Sequence, residues 1–159
     1  MEIKKLFGIE NKVAIVTGGS RGIGEMITSG FLANGVKVYI SARKAPALIE
    51  KAKELSDRYQ QECIPVPSDL STIEGIESFV GSISEKEEGI DFLINNAGAA
   101  WGEPFETFSE QGWDKVMDLN VKSMFFLTQK LKSHLLKRCT LNDPSRVINI
   151  GSIDGLNVP

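Results

Sequence analysis

The chain has 159 residues, 42% of them hydrophobic and 25% charged, with a net charge of −3. That length and apolar content suit one globular unit with its own core, so residues 1–159 are expected to form a single domain. The acidic balance offers no basic footprint for nucleic acid or an anionic membrane surface, and no apolar run approaches the ~20 residues that cross a bilayer.

Met1 to Lys5 lack the apolar core of a secretory signal, so a cytoplasmic protein with no membrane or nucleic-acid partner is expected. Cys63 and Cys139 fall outside any Cys-x-x-Cys spacing, and the single histidine, His134, has no ligand partner at helical spacing. No metal site is therefore expected; ordinary thiols and a solvated helical histidine account for all three.

The first strand is read at Val13–Val16, and it runs into Thr17-Gly18-Gly19-Ser20-Arg21-Gly22-Ile23-Gly24, which opens an apolar-periodic helix. In a strand–turn–helix unit Gly18 permits the tight turn, Gly22 lets the backbone approach a pyrophosphate, and Gly24 lets the helix pack closely. The pyrophosphate then sits on the helix's unpaired N–H groups at the positive end of its dipole. The competing reading is a glycine-rich connection that needs only positive φ.

Asn34-Gly35 stops this helix, and Val36–Ile40 follows as the second strand. A carboxylate about 20 residues beyond the glycines holds the ribose 2′-hydroxyl in NAD sites. Here the segment reads Ser41-Ala42-Arg43-Lys44, with no acid. Arg43 with Arg21 suits a 2′-phosphate, which favours NADP(H) over NAD(H) against the alternative of solvated loop charges.

Pro46 suits the first turn of the second helix, Ile64–Val66 reads as the third strand, and Ser71-Thr72-Ile73-Glu74 reads as a capping box opening the third helix. Phe92–Ile94 is the fourth strand, Gly98 to Gly112 the one long connection, and a helix from about Ser109 to Arg138 precedes the fifth strand at Val147–Ile150. Along that helix Val116, Leu119 or Asn120, Ser123, Leu127 and Leu131 share one side, widened by Met124, Phe125 and Leu135. Strands alternating with helices predict an α/β fold whose parallel sheet is covered on both faces.

Four landmarks recur in order: Thr17-Gly18-x-x-x-Gly22-Ile23-Gly24, Asn95-Asn96-Ala97-Gly98, Asn120 within Leu119-Asn120-Val121, and Asn149-Ile150-Gly151-Ser152. Together they resemble the short-chain dehydrogenase/reductase family over essentially the whole chain. The resemblance implies a Rossmann-like doubly wound parallel sheet, of which this chain supplies the first five strands.

It also implies that Gly18, Ser20, Arg21, Gly22, Ile23 and Gly24 surround the phosphates and ribose of NADP(H), with Arg43 at the 2′-phosphate. Asp69 and Leu70 then flank the adenine, Asp69 accepting from its amino group. Asn95, Asn96, Ala97 and Gly98 shape the fourth strand's end near the riboses. Ser152 is implied to hydrogen-bond the oxygen of a small carbonyl or alcohol substrate, and Asn120 to hold the water-linked part of a proton relay.

The segment Ala99-Ala100-Trp101-Gly102-Glu103-Pro104, with Gly112-Trp113, is most similar to 3-oxoacyl reductases of the rhamnolipid-biosynthesis type, with sugar-acid dehydrogenases the nearby alternative. Trp101, Phe105 and Phe108 line an apolar substrate mouth in that reading, or serve as ordinary loop packing.

The family's Tyr-x-x-x-Lys pair follows its serine by a dozen or so residues and does not occur before Pro159. Tyr39 and Tyr59 lack a lysine four residues on. The chain is expected to be the N-terminal portion of a longer reductase, inactive alone, whose parent is a dimer or tetramer. The fifth strand is then an exposed edge. A non-catalytic NADP-binding or interaction protein derived from the family is the alternative.

Overall fold

The computed structural model describes residues 7–155; the readings placed on Met1 to Lys5 and on Leu156 to Pro159 lie outside them. Five parallel strands, β1 (Val13–Thr17), β2 (Lys37–Ala42), β3 (Cys63–Pro67), β4 (Phe92–Asn95) and β5 (Arg146–Asn149), form one sheet in the order β3-β2-β1-β4-β5. Between them run α1 (Gly22–Ala33), α2 (Ala45–Tyr59), α3 (Ile73–Ser84), α4 (Glu110–Met117) and α5 (Ser123–Arg138). The chain builds outward from β1 to β3, then crosses back to place β4 against the other side of β1.

Strand alternation assigns the two layers. Ala14, Val16, Val38 and Ile40 pack with Leu32 of α1 and Leu48, Ala52 and Leu55 of α2. Val13, Ile15, Tyr39 and Leu93 face the other way, onto Ile76, Phe79 and Ile83 of α3 and Leu127, Leu131 and Leu135 of α5. The sheet is thus doubly wound, and burying each of these large aliphatic side chains is worth roughly 1.5–3 kcal/mol. Tyr39 is fully buried and donates its hydroxyl to Glu87 Oε1 at 2.8 Å, while Lys37 Nζ lies 2.9 Å from the same oxygen. Burial, then that bond, pushes the Tyr39 phenol up to about 12.

The boundary signals hold except at the start of α3. Asn34 caps α1 with Gly35 at φ 74°, and Pro46 sits in the first turn of α2. The N-cap of α3 is Thr72, whose hydroxyl accepts from Gly75 N at 3.0 Å. Ser71 is drawn instead to Asp69 Oδ1, donating its N–H at 3.1 Å and its hydroxyl at 2.7 Å, so the expected capping box does not form.

The long helix is interrupted by a π turn at Asp118–Lys122, and Phe125 is 62% exposed rather than part of the core stripe. The fifth strand is the exposed edge expected of it: every residue of β5 is exposed and β5 lies at the end of the sheet, so the helical cover of the two faces stops short of it.

Cys63 is buried and Cys139 exposed, and burial pushes the Cys63 thiol up to about 12. Because the thiolate is the reactive form, a disulfide reagent at pH 8 is expected to titrate one thiol per native chain and two after urea unfolding. Two fast equivalents in native protein would contradict the packing of β3.

Candidate functional site

A groove of about 1020 Å³ opens at the carboxyl ends of β1, β2, β3 and β4, where the direction of winding reverses. Open α/β sheets bind ligands at this position. Its centre is the turn from β1 into α1. Gly18 has φ 65° and donates its N–H to Ser41 O at 3.0 Å, pinning the turn to β2. Gly22 has φ 55° with nothing within 4 Å of where a Cβ would stand.

Arg21 enters α1 in extended conformation and no side chain caps the helix, so its first N–H groups lie available at the groove. A Cβ on Gly24 would stand 2.2 Å from Gly18 O and 2.5 Å from Asn96 Nδ2, so only glycine lets α1 start this close to β1 and β4.

Thr17 holds the other wall. Its Oγ1 accepts from Asn96 N and Ala97 N, both at 2.9 Å, and donates to Ile94 O at 3.3 Å. Asn96 Nδ2 returns a bond to Thr17 O at 2.9 Å. Sequence reasoning passed over Thr17 and Gly19 as site residues, although both stand in the glycine motif. A Cβ on Gly19 would lie 2.5 Å from Ile40 Cγ2.

Gly18, Ser20, Arg21, Ile23, Gly24, Arg43, Asp69, Leu70, Asn96, Ala97 and Gly98 all line the groove; Gly22 does not. Arg21, Arg43 and Lys44 are exposed along its rim. Further out, Lys51 Nζ lies 3.1 Å from Glu25 Oε1 and 2.6 Å from Glu54 Oε2, tying α1 to α2. Glu54 and Glu25, in that order, raise the Lys51 ammonium above its ordinary value.

Asn95 shapes the end of β4 from the side away from the groove. It is buried and donates Nδ2 to Asn149 Oδ1 at 2.8 Å and to Thr128 Oγ1 at 3.3 Å, so it joins β4 to β5 and α5 instead of lining the groove. Ser152 is exposed just beyond β5, whose end is tied back by Ile150 N donating to Asn95 O at 2.9 Å.

Asn120 sits in the π turn and turns both atoms of its amide to one loop residue: Oδ1 accepts from Ala99 N and Nδ2 donates to Ala99 O, each at 2.8 Å. This bidentate clamp fixes the start of the long connection, and π turns often mark functional positions. Next in that connection, Trp101 packs on Gly112, where a Cβ would lie 2.3 Å from the indole Cδ1, and Lys115 Nζ stands 4.2 Å from its ring centroid. Trp101 is therefore a loop anchor, while Phe105 is 92% exposed and Phe108 also exposed. Glu103 Oε2 accepts from Ser109 N at 2.7 Å, which holds its carboxyl below the ordinary value.

A model of the short chain dehydrogenase family matches residues 12–159. The chain belongs to that family. It is 42% identical over 151 residues to the rhamnolipids biosynthesis 3-oxoacyl-[acyl-carrier-protein] reductase of Pseudomonas aeruginosa, covering 95% of this chain and 58% of that protein. To the 2-dehydro-3-deoxy-D-gluconate 5-dehydrogenase of Escherichia coli it is 33% identical over 162 residues, covering 99% and 61%.

Among solved structures, Pseudomonas aeruginosa RhlG with NADP in its active site superposes with a TM-score of 0.91 at 42% identity, covering 96% of this chain and 59% of that one. The L-sorbose reductase of Gluconobacter frateurii with NADPH and L-sorbose gives 0.84 at 30% identity, covering 92% and 54%. The chain spans about three fifths of the length of the curated relatives named here. The family accounts for the oxidoreductase fold and its parallel sheet. Among the described residues no helix is long and apolar enough to cross a membrane.

Proposed function

We propose that this chain carries, as one cytoplasmic domain, the nucleotide-binding portion of an NADPH-dependent oxidoreductase that reduces a 3-oxoacyl or similar carbonyl to an alcohol. The observation that carries this reading is an uncapped α1 N-terminus at the sheet's switch point, beside a β2 end bearing Arg43 and Lys44 and no acid. The N–H groups of α1 and the Arg21 guanidinium suit the two charges of a pyrophosphate. The absence of any Cβ at Gly24 keeps those donors close to β1, and the groove is large enough for a dinucleotide lying across the switch point.

NADPH, when bound, supplies hydride. The chain's part is to orient it and to stabilise charge at the substrate. Arg43 neutralises the 2′-phosphate, Asp69 and Leu70 flank the adenine, and Asn96, Ala97 and Gly98 border the reacting half. Ser152 donates a hydrogen bond to the substrate oxygen as charge develops there. Asn120, by holding Ala99, keeps the loop over that end of the groove in register. The relatives named for 3-oxoacyl and for sugar-acid substrates are 42% and 33% identical, which supports the acyl reading first.

Titration of the 159-residue chain with NADPH and NADH, followed by nucleotide fluorescence, tests the cofactor assignment. Arg43→Ala is expected to weaken NADPH roughly 10- to 100-fold, the loss of a charge-assisted pair, and to leave NADH within about twofold. Equal losses for both would remove Arg43 from the 2′-phosphate. Wild-type chain that binds neither would defeat the reading as a whole.

A further inference from the structure

Thr28 stands in the second turn of α1 and is fully buried. Its Oγ1 donates to Gly24 O at 2.8 Å and to Gly19 O at 3.2 Å, so one proton serves two carbonyls. The first bond is an ordinary one within a helix, from a threonine to the carbonyl four residues back. The second is not local. It crosses from α1 to the glycine turn nine residues earlier, and among the described residues no other hydrogen bond reaches Gly19 O.

Gly19 lacks the positive φ of Gly18 and Gly22, so its need for glycine is one of space. A Cβ there would stand 2.5 Å from Ile40 Cγ2 and 2.8 Å from Thr28 Oγ1. The missing side chain lets the Gly19 backbone settle between β2 and α1, where the hydroxyl meets its carbonyl. A trans peptide points its N–H opposite to its C=O, and every described peptide bond is trans. Held against the buried Thr28, the Gly19 carbonyl faces the core and turns the Ser20 N–H outward, on the side where Ser20 lines the groove. Backbone N–H groups that a turn presents together form a site for anions.

We propose that Thr28 is a positioning residue for the dinucleotide: through Gly19 it fixes the peptide carrying the Ser20 N–H in the orientation that meets the pyrophosphate. This rests on the reading of the groove as an NADPH site, and it assigns a role to a residue that touches no ligand and lies outside the glycine motif. Without the hydroxyl the turn takes up other arrangements, and affinity falls with the fraction that stays competent. A ligand whose phosphate sits only at the Arg43 rim does not feel that loss.

The test compares Thr28→Val, Thr28→Ala and Thr28→Ser with the wild-type chain, each shown to be folded by its urea transition. NADPH binding is read by nucleotide fluorescence, and adenosine 2′-monophosphate binding by displacement of NADPH. Thr28→Val and Thr28→Ala are expected to bind NADPH about three- to tenfold more weakly and adenosine 2′-monophosphate within about twofold of wild type. Thr28→Ser keeps the hydroxyl and is expected to bind both as wild type does. Unchanged NADPH affinity in a folded chain without the hydroxyl would overturn the inference while sparing the proposed function. Equal losses for the two ligands, or a Thr28→Ser chain as weak as Thr28→Ala, would overturn it too, by making Thr28 a general support of the groove. Failure of both hydroxyl-free variants to fold would do the same, since the bond would then serve the fold. A wild-type chain that binds neither ligand would overturn the proposed function and this inference together.

Discussion

Gly24→Ala is expected to destabilise the protein by about 3 kcal/mol and to weaken NADPH binding at least 100-fold, the upper range of forcing atoms into a packed contact. The added methyl would stand 2.2 Å from Gly18 O, 2.9 Å from Gly18 C and 2.5 Å from Asn96 Nδ2. Two of these are backbone atoms of the turn that α1 must approach, so relief comes only by moving the helix N-terminus away from β1. Such a shift displaces the N–H groups proposed to hold the phosphates. The matched control is Gly30→Ala on the same helix, where a Cβ meets nothing within 4 Å. That change is expected to stabilise by about 0.5–1 kcal/mol through helix propensity alone, with unchanged NADPH affinity. Urea unfolding and NADPH titration of the two variants decide the matter, and near-wild-type behaviour of Gly24→Ala would show that the turn is not rigidly coupled to binding.

Asp91→Ala is expected to cost about 2–3 kcal/mol, because it removes a buried carboxylate that accepts from a buried backbone N–H and pairs two partly exposed cations at the end of the sheet opposite the groove. Asp91 is 6% exposed. Its Oδ2 accepts from Val13 N at 2.8 Å and from Arg138 Nη1 at 3.2 Å, and Lys12 Nζ lies 3.5 Å from Oδ1. Its backbone donates to Val13 O at 2.9 Å and accepts from Arg146 N at 2.8 Å. One residue thereby joins the starts of β1, β4 and β5 to the last turn of α5.

Without the carboxylate, the Val13 N–H is left buried and unpaired while Lys12 and Arg138 lose their shared counter-charge. Asp91→Asn keeps an acceptor for Val13 and is expected to cost less, about 1–2 kcal/mol. Both variants are expected to bind NADPH as wild type does. The urea midpoint of each variant is the measurement, and a loss below about 1 kcal/mol for Asp91→Ala would mean the cluster is solvated.

Much of the architecture was legible in the sequence, since its signals are local. The apolar runs at Val13–Val16 and Phe92–Ile94, the Asn34-Gly35 stop and Pro46 act within a few residues of where they stand. The glycine motif was legible for the same reason, a strand, a turn and a helix being set by adjacent φ/ψ preferences. Even so, local competition misled at one boundary: Asp69 captures Ser71, and the helix start moves to Thr72.

Which residues meet across the site was decided by sheet order. Thr17 Oγ1 reaches Asn96 N across 79 residues of sequence, and only the crossover that sets β4 beside β1 makes that bond. The same holds for Asn95, turned to Asn149 by the pairing of β4 with β5, and for Asn120, whose helical position is explained by Ala99 rather than by its neighbours. Phe125, added to the core stripe on sequence, is exposed because it stands two residues from both Ser123 and Leu127 on one helix, which puts it on the side opposite that buried row.

Sequence by itself therefore determined the elements, their order and the character of the central turn, since backbone propensity and hydrophobic period are written residue by residue. Tertiary structure alone decided which hydroxyls and amides are paired across the sheet, as those of Thr17 and Asn95 are, and which, like the Ser68 hydroxyl, are buried without a partner in the protein. Hydrogen bonding between distant segments depends on strand register and packing, and the chain acquires those only on folding.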